Sequence, residues 1–290
     1  MEIISLDNFR KKHDLKNLNE DVFQILKENF SYFQNHEDNE KITDYNFERG
    51  PLLYGLIEKY QPNNTLEIGT SNGYGTLSMT YALKISSSKI FTIDVIDNEE
   101  KNIHYIKNNE TIEKILISRR ELWGKYAKND RLEKIISLNG YSSDILTNFD
   151  FPPIDFFYID GGHFYDAFKF DFFSCINLAN SKSYFLCDDY IERDDYGVKK
   201  FIDESLEPIV KITLIKTDKS ELYLKNGITN TDYGMCFFEI NKSDITKYFS
   251  EKEISSFKNE FLKFEKRYKL RKKINKKIPF LNNIRFRKLF

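Results

Sequence analysis

Cysteine, tryptophan, methionine and proline are all scarce in this chain, at 3, 1, 3 and 6 of 290 residues. The cysteines, Cys175, Cys187 and Cys236, are odd in number and none stands in a CxxC spacing, so neither a disulfide framework nor a zinc site is indicated. No stretch approaches the roughly 18 consecutive apolar residues of a membrane span. The opening MEIISLDNFRKKHDLKN also lacks the apolar core of a secretion signal. A cytoplasmic protein with reduced, packed thiols is the expectation. Internal repeats and low-complexity tracts are absent too.

Aromatic residues are plentiful. With 26 Phe and 18 Tyr in a 40% apolar composition the chain can build a large core, and 31% charged residues give it a polar surface. A length of 290 residues suits one large α/β domain with additions. The net charge of −1 hides an asymmetry, because residues 266–290 carry eleven Lys or Arg and no acid, leaving 33 basic against 45 acidic side chains in the rest. That tail suits an anionic membrane surface or a phosphorylated glycolipid, or it is a solvated helix end; nothing in it reads like a nucleic-acid motif.

The organising stretch is Asn64-Thr-Leu-Glu-Ile-Gly-Thr-Ser-Asn-Gly-Tyr-Gly75. Leu66 and Ile68 belong to a short strand, Gly69 and Gly73 open a turn, and Leu77 and Met79 to Leu83 continue as a helix. Such a turn lets a ligand approach the backbone and meet the free N–H groups of the helix start. Glu67 decides the kind of ligand. A dinucleotide turn clamps a pyrophosphate and is harmed by a carboxylate pointing at it, whereas S-adenosylmethionine carries an ammonium and a sulfonium and welcomes an acid. Thr70 and Ser71 lie in the same turn.

Before the turn, residues 1–48 read as a helical cap, with Val22, Ile25, Leu26 and Phe30 near helical spacing, and a further helix begins after Gly50-Pro51. Glu48, Arg49 and Gly50 also fall where they can line the cofactor entrance. After the turn, Lys89-Ile-Phe-Thr-Ile-Asp94 reads as a second strand. Asp94 at its end is placed either to accept ribose hydroxyls or to cap a turn. Residues 97–133, including Thr111 to Ile117, read as a helical insertion whose Trp123 serves either as core or as an aromatic lid. Lys134 to Leu138 is a third strand. Ser142 and Ser143 beyond it are placed to meet an adenine edge or to cap a helix.

Two apolar runs dense enough for buried parallel strands follow. Ile154 to Ile159 stops at Asp160-Gly-Gly-His163, and Lys182 to Cys187 stops at Asp188-Asp189. In a doubly wound sheet both ends open beside the Gly turn. Three carboxylates meeting there repel one another unless a cation joins them, and all-oxygen ligation suits Mg²⁺ or Mn²⁺ at Asp160, Asp188 and Asp189; the alternative is that Asp160 and Asp189 cap turns. His163, with an ordinary pKa of about 6.5, can take a proton there. Two β-rich runs, Ile209 to Ile215 and Tyr233 to Ile240, then suit a closing antiparallel pair, and Ser250-Glu-Lys-Glu253 opens a last helix with a capping box.

Together, Glu67-x-Gly69, Asp94, Gly140-x-Ser142-Ser143-Asp144, Asp160-x-x-His163 and Asp188-Asp189 resemble the class I S-adenosylmethionine-dependent methyltransferases, and among them the metal-dependent O-methyltransferases of the catechol and macrolide-sugar types. The resemblance covers roughly residues 50 to 240. It implies a Rossmann-like, doubly wound seven-stranded sheet with the last strand antiparallel, spanning residues 49–242 with N-terminal helices before it and a C-terminal helix and basic tail at 243–290. It further implies that Glu67, Gly69, Thr70, Ser71, Gly73, Asp94, Ser142, Ser143 and Asp160 hold the cofactor, that Asp160, Asp188 and Asp189 hold the metal, and that His163 is the base. Gly161-Gly-His-Phe-Tyr stands where catechol-type members place a lysine, which turns the expectation toward a vicinal diol on a sugar or glycan. Three alternatives stay open: a metal-independent methyltransferase acting on an amine, one acting on nucleic acid, and a binding module on the same fold. A homo-oligomer and peripheral contact with the inner membrane surface also stay open.

Overall fold

Unbroken apolar runs form the middle strands of the sheet, because strands covered on both faces have no side to give to water. The structure is a computed structural model. It describes residues 1–34, 42–44, 47–108, 111–192, 196–217 and 234–277. In chain order the elements begin with β1 (Glu2–Ser5), α1 (Leu6–Lys12), α2 (Glu20–Phe30), β2 (Tyr32–Gln34), β3 (Ile42–Asp44), α3 (Arg49–Tyr60), β4 (Asn64–Ile68), α4 (Tyr74–Ala82), β5 (Lys89–Asp94), β6 (Lys101–Asn108) and β7 (Thr111–Ser118). They continue with α5 (Arg119–Tyr126), α6 (Asn129–Leu132), β8 (Ile135–Asn139), α7 (Ser142–Asn148), β9 (Ile154–Ile159), α8 (Tyr165–Leu178), β10 (Ala179–Tyr190), α9 (Val198–Phe201), β11 (Thr213–Lys216), β12 (Gly234–Asn241), α10 (Lys242–Tyr248) and α11 (Glu251–Lys277).

The main sheet has the order β1-β11-β12-β10-β9-β4-β5-β8. Strands β10, β9, β4, β5 and β8 pair in parallel, and β12 runs antiparallel to both β10 and β11. Without β1 this is the expected seven-stranded sheet with its antiparallel closing strand. β1 adds an eighth, parallel to β11 with Glu2 opposite Thr213. One face packs Leu52, Leu53 and Leu56 of α3 against Phe156, Tyr158 and Leu186. On the other, Phe157, Phe185 and Phe238 stack across three neighbouring strands, with ring centroids 4.4 and 5.4 Å apart, under Phe172 of α8.

Two expectations need correction. Residues 97–133 are helical only in their second half, at α5 and α6: in the first half β6 and β7 form an antiparallel hairpin, and with β2 and β3 they make a second sheet of order β3-β2-β6-β7. Ile115 and Ile117 point to one core at a spacing of two, while the adjacent charges Glu113 and Lys114 give the same stretch the look of a helix surface. Nor is the N-terminal region wholly helical, since β1, β2 and β3 lie in it. Strands of three or four residues are too short to show a period.

Residues Met1–Tyr248 and Phe249–Phe290 form two units. In the second, the backbone N–H of Glu253 donates to Ser250 Oγ and that of Ser250 donates to the Glu253 carboxylate, so the expected capping box opens α11. The basic stretch is helical as far as Lys277; residues 218–233 and 278–290 lie outside the described residues. No helix among the described residues is long and apolar enough to cross a membrane.

Phe185 is fully buried, whereas Leu116 on β7 is 64% exposed. Phe185→Ala is expected to cost about 3–5 kcal/mol and Leu116→Ala about 0.5 kcal/mol or less, both read from denaturant unfolding.

Candidate active site

The turn after β4 is built over a buried acid. Glu67 is 1% exposed and its carboxylate accepts from the hydroxyls of Thr76 and Thr92, with Thr70 Oγ1 2.6 Å from Thr92 Oγ1. Burial pushes Glu67 up to about 7, against the pull of the two hydroxyls. Glu67 therefore anchors the turn from below. Gly69 is left-handed at φ 99°, and a Cβ there would stand 1.9 Å from the carbonyl oxygen of Asp160. Only glycine lets the turn after β4 touch the end of β9.

Asp94 ends β5 beside this turn. Its Oδ2 accepts from Ser71 N at 2.7 Å, and its Oδ1 accepts from Ile96 N at 2.8 Å. Arg119, 3% exposed, stands 3.2 Å from Asp94 Oδ2. Arg119 also lines a cavity of about 490 Å³ together with Ile96, Asp97, Trp123, Ser137 and Asn139; Asp94 and the turn glycines are not part of its lining. Gly140 N donates to Asp94 O at 2.8 Å, which sets the start of α7, with half-buried Ser142 and buried Ser143, near the same strand ends.

Asn72 ties the second sheet to the turn. Its amide donates to Tyr32 O of β2, its Oδ1 lies 3.0 Å from Nδ1 of buried His104 on β6, and its carbonyl accepts from Trp123 Nε1 at 2.8 Å. Trp123 is 4% exposed and packs against Gly73 (φ 93°), so it is core rather than a lid.

On the far side of Gly69 the expected acids do meet. Arg49, the first residue of α3, places Nη1 2.5 Å from Asp160 Oδ2 and Nη2 2.5 Å from Asp188 Oδ2. Tyr158 Oη lies 3.0 and 3.2 Å from the same two oxygens, which share its one hydrogen. Gly50 makes this reach possible, since a Cβ there would lie 2.6 Å from the Tyr74 ring of α4. Asp189 turns away. Its backbone is left-handed at φ 58° and its Oδ2 lies 2.8 Å from His163 Nδ1, while Tyr196 stacks on the imidazole at 4.7 Å.

Burial pushes Asp160 up to about 7; the Arg49 guanidinium opposes this, and the Asp188 and Asp189 charges add to it. Burial also holds Tyr158 well above the ordinary phenol range, so it remains a donor. At His163 burial disfavours the charged ring, but the Asp189 hydrogen bond and the surrounding carboxylates outweigh it and raise the group to about 9. The imidazole therefore carries its proton at neutral pH.

The structure thus brings together Asp160, Asp188, Asp189 and His163 in one cluster, and Glu67, Gly69, Thr70, Ser71, Gly73 and Asp94 in the adjoining turn. The three carboxylates do not form the expected metal ligand set. Asp160 and Asp188 are joined by a guanidinium and Asp189 faces His163, and among the described residues no group of three or more His, Cys, Asp or Glu is arranged to hold a metal ion. Arg49 falls at the entrance, as its place between Glu48 and Gly50 implies, but nothing near it in sequence marks its partners. Tyr158, inside an apolar run, and Arg119, inside a charged one, carry no local sign of a role.

This topology, with the turn after the first parallel strand abutting an acid at the end of the fourth, defines the class I methyltransferase fold. Residues 66–190 match a family described as "Methyltransferase domain". Among solved structures the chain is similar to the O-methyltransferase from Bacillus cereus, bound to SAH, at 18% identity and TM-score 0.52 over 81% of this chain and 96% of that one. It is similar also to the O-methyltransferase TomG from Streptomyces achromogenes, involved in tomaymycin synthesis and bound to SAM, at 17% identity and TM-score 0.51 over 80% and 94%. A putative O-methyltransferase from Klebsiella pneumoniae compares at 17% identity and TM-score 0.51 over 81% and 94%. No curated protein matches the chain in sequence.

The raised His163 gives stability with a definite sign. The folded value of about 9 lies above the ordinary 6.5, so the contribution is full below about pH 6.5 and is lost as pH rises through about 9. His163→Gln is expected to lower the denaturation midpoint at pH 6 and to leave it near that of the parent above pH 10.

Proposed function

We propose that this chain is an S-adenosylmethionine-dependent O-methyltransferase acting on a hydroxyl of a small-molecule or glycan acceptor. The observation that supports the reading best is the contact between Gly69 and the Asp160 backbone, because it sets a cofactor turn directly beside a cluster of proton-handling groups. The donor supplies a methyl group on a positively charged sulfur. The residues suit it: left-handed glycines open the turn, and Asp94 stands at the ribose position of a doubly wound fold.

On the acceptor side His163 is the base. Asp189 holds Nδ1, so that in the neutral ring Nδ1–H points at the carboxylate and Nε2 takes the acceptor proton. The acceptor oxygen then forms its bond to the methyl carbon as the carbon–sulfur bond breaks, and the electron pair leaves on a neutral thioether sulfur. The proton ends on His163. Because the ring is protonated at neutral pH, only a small fraction of molecules is ready to act, and the rate climbs with pH toward about 9. The basic tail, by its charge, suits delivery of the enzyme to an anionic surface or to a phosphorylated acceptor.

Calorimetry should show one S-adenosylmethionine bound per chain, weakened on the order of tenfold in Asp94→Asn, which is about 1.4 kcal/mol. A radiolabelled-methyl screen should label hydroxyl acceptors, with kcat falling about 10²–10⁴-fold in His163→Ala at unchanged donor affinity. Failure to bind the donor, or labelling of amines alone, contradicts the reading.

A further inference from the structure

Asp160 and Asp188 end adjacent parallel strands, with Phe157 beside Phe185 and Ile159 beside Cys187 in register. Two carboxylates so placed, one 13% exposed and the other fully buried, need positive charge between them. The charge present is the planar fork of Arg49, one nitrogen for each acid, each at 2.5 Å. We infer that Arg49 takes the place of a divalent cation in this site, so that Asp160 and Asp188 hold a guanidinium instead of Mg²⁺ or Mn²⁺ and the acceptor hydroxyl meets that fixed organic cation.

The geometry supports this. A magnesium ion touches its oxygens at about 2.0–2.1 Å and demands near-octahedral space. Both inner oxygens, Asp160 Oδ2 and Asp188 Oδ2, already face Arg49 and Tyr158. The outer oxygen of Asp188 accepts from Asp189 N at 2.8 Å. Asp189, the third acid, is committed to His163 by its left-handed backbone. Arg49 itself is not a passing surface side chain. It is 20% exposed and begins a helix whose next residue, Gly50, is pressed against Tyr74 and Ser78 closely enough to exclude a Cβ.

The consequence is chemical. A metal lowers the pKa of a hydroxyl that it binds directly, and a second acceptor oxygen beside the first helps by chelating it. A guanidinium donates hydrogen bonds and does not chelate. The acceptor therefore needs one hydroxyl rather than two adjacent ones, and the proton is left to His163.

This inference rests on the methyltransferase reading for its meaning, but its test does not. The full chain, treated with chelator and freed of it, is titrated with Mn²⁺ and the free ion is followed by electron paramagnetic resonance, with S-adenosylmethionine binding measured on the same samples. The parent should bind no Mn²⁺ at the two strand ends. Arg49→Met, which vacates the position without adding charge, should bind one equivalent that the parent does not, and Asp160→Asn in that background should abolish the gain. If Arg49→Met melts early, Mn²⁺ should raise its Tm and leave the parent's unmoved. A parent that binds one Mn²⁺ with dependence on Asp160 and Asp188 overturns the inference, as does a folded Arg49→Met that binds none. If Arg49→Met stays unfolded with or without Mn²⁺, the parent titration alone decides. Absence of donor binding counts against the proposed function and leaves the Mn²⁺ result to decide the role of Arg49.

Discussion

Buried acids at neighbouring strand ends cannot keep their charges without a cation, and here the cation comes from a helix far away in sequence. Arg49 and Asp160 are 111 positions apart. Arg49 opens α3, Gly50 follows it, and Tyr74 of the helix after the glycine turn donates its hydroxyl to Phe47 O at 2.5 Å close by. Removing one partner of such a buried pair costs about 3–5 kcal/mol, because the remaining charge is left without compensation. The same group of contacts joins the N-terminal region to the centre of the sheet.

Around that pair the two halves of the site have different characters. One half is a backbone turn whose acid, Glu67, is sealed under hydroxyls and steadies the turn from within. The other, where the proposed function puts the acceptor, is a set of ionic side chains in which each acid already has a partner, Arg49 for Asp160 and Asp188, and His163 for Asp189. Methyl transfer from a sulfonium needs little covalent help from a protein: alignment, exclusion of water and a place for one proton suffice. The second sheet contributes to alignment, since Asn72 connects the turn to β2, β6 and Trp123.

Much of this was visible in the order of residues. Ile154 to Ile159 and Lys182 to Cys187 could be read as strands because a central parallel strand is buried on both faces, and the acids ending them could then be placed on one side by topology alone. The hairpin of β6 and β7 was not legible, since paired charges at Glu113 and Lys114 masked the alternation of Ile115 and Ile117. The need for a cation could be derived from three clustered carboxylates; its identity could not. An arginine more than a hundred residues upstream leaves no spacing signal, whereas a cluster of acids leaves a strong one.

The most direct measurement is a crystal structure of the chain grown or soaked in Mn²⁺, with anomalous differences collected at the manganese edge. The account predicts guanidinium density between Asp160 and Asp188 and no anomalous peak between them. A manganese peak ligated by those two carboxylates, with Arg49 swung aside, contradicts it.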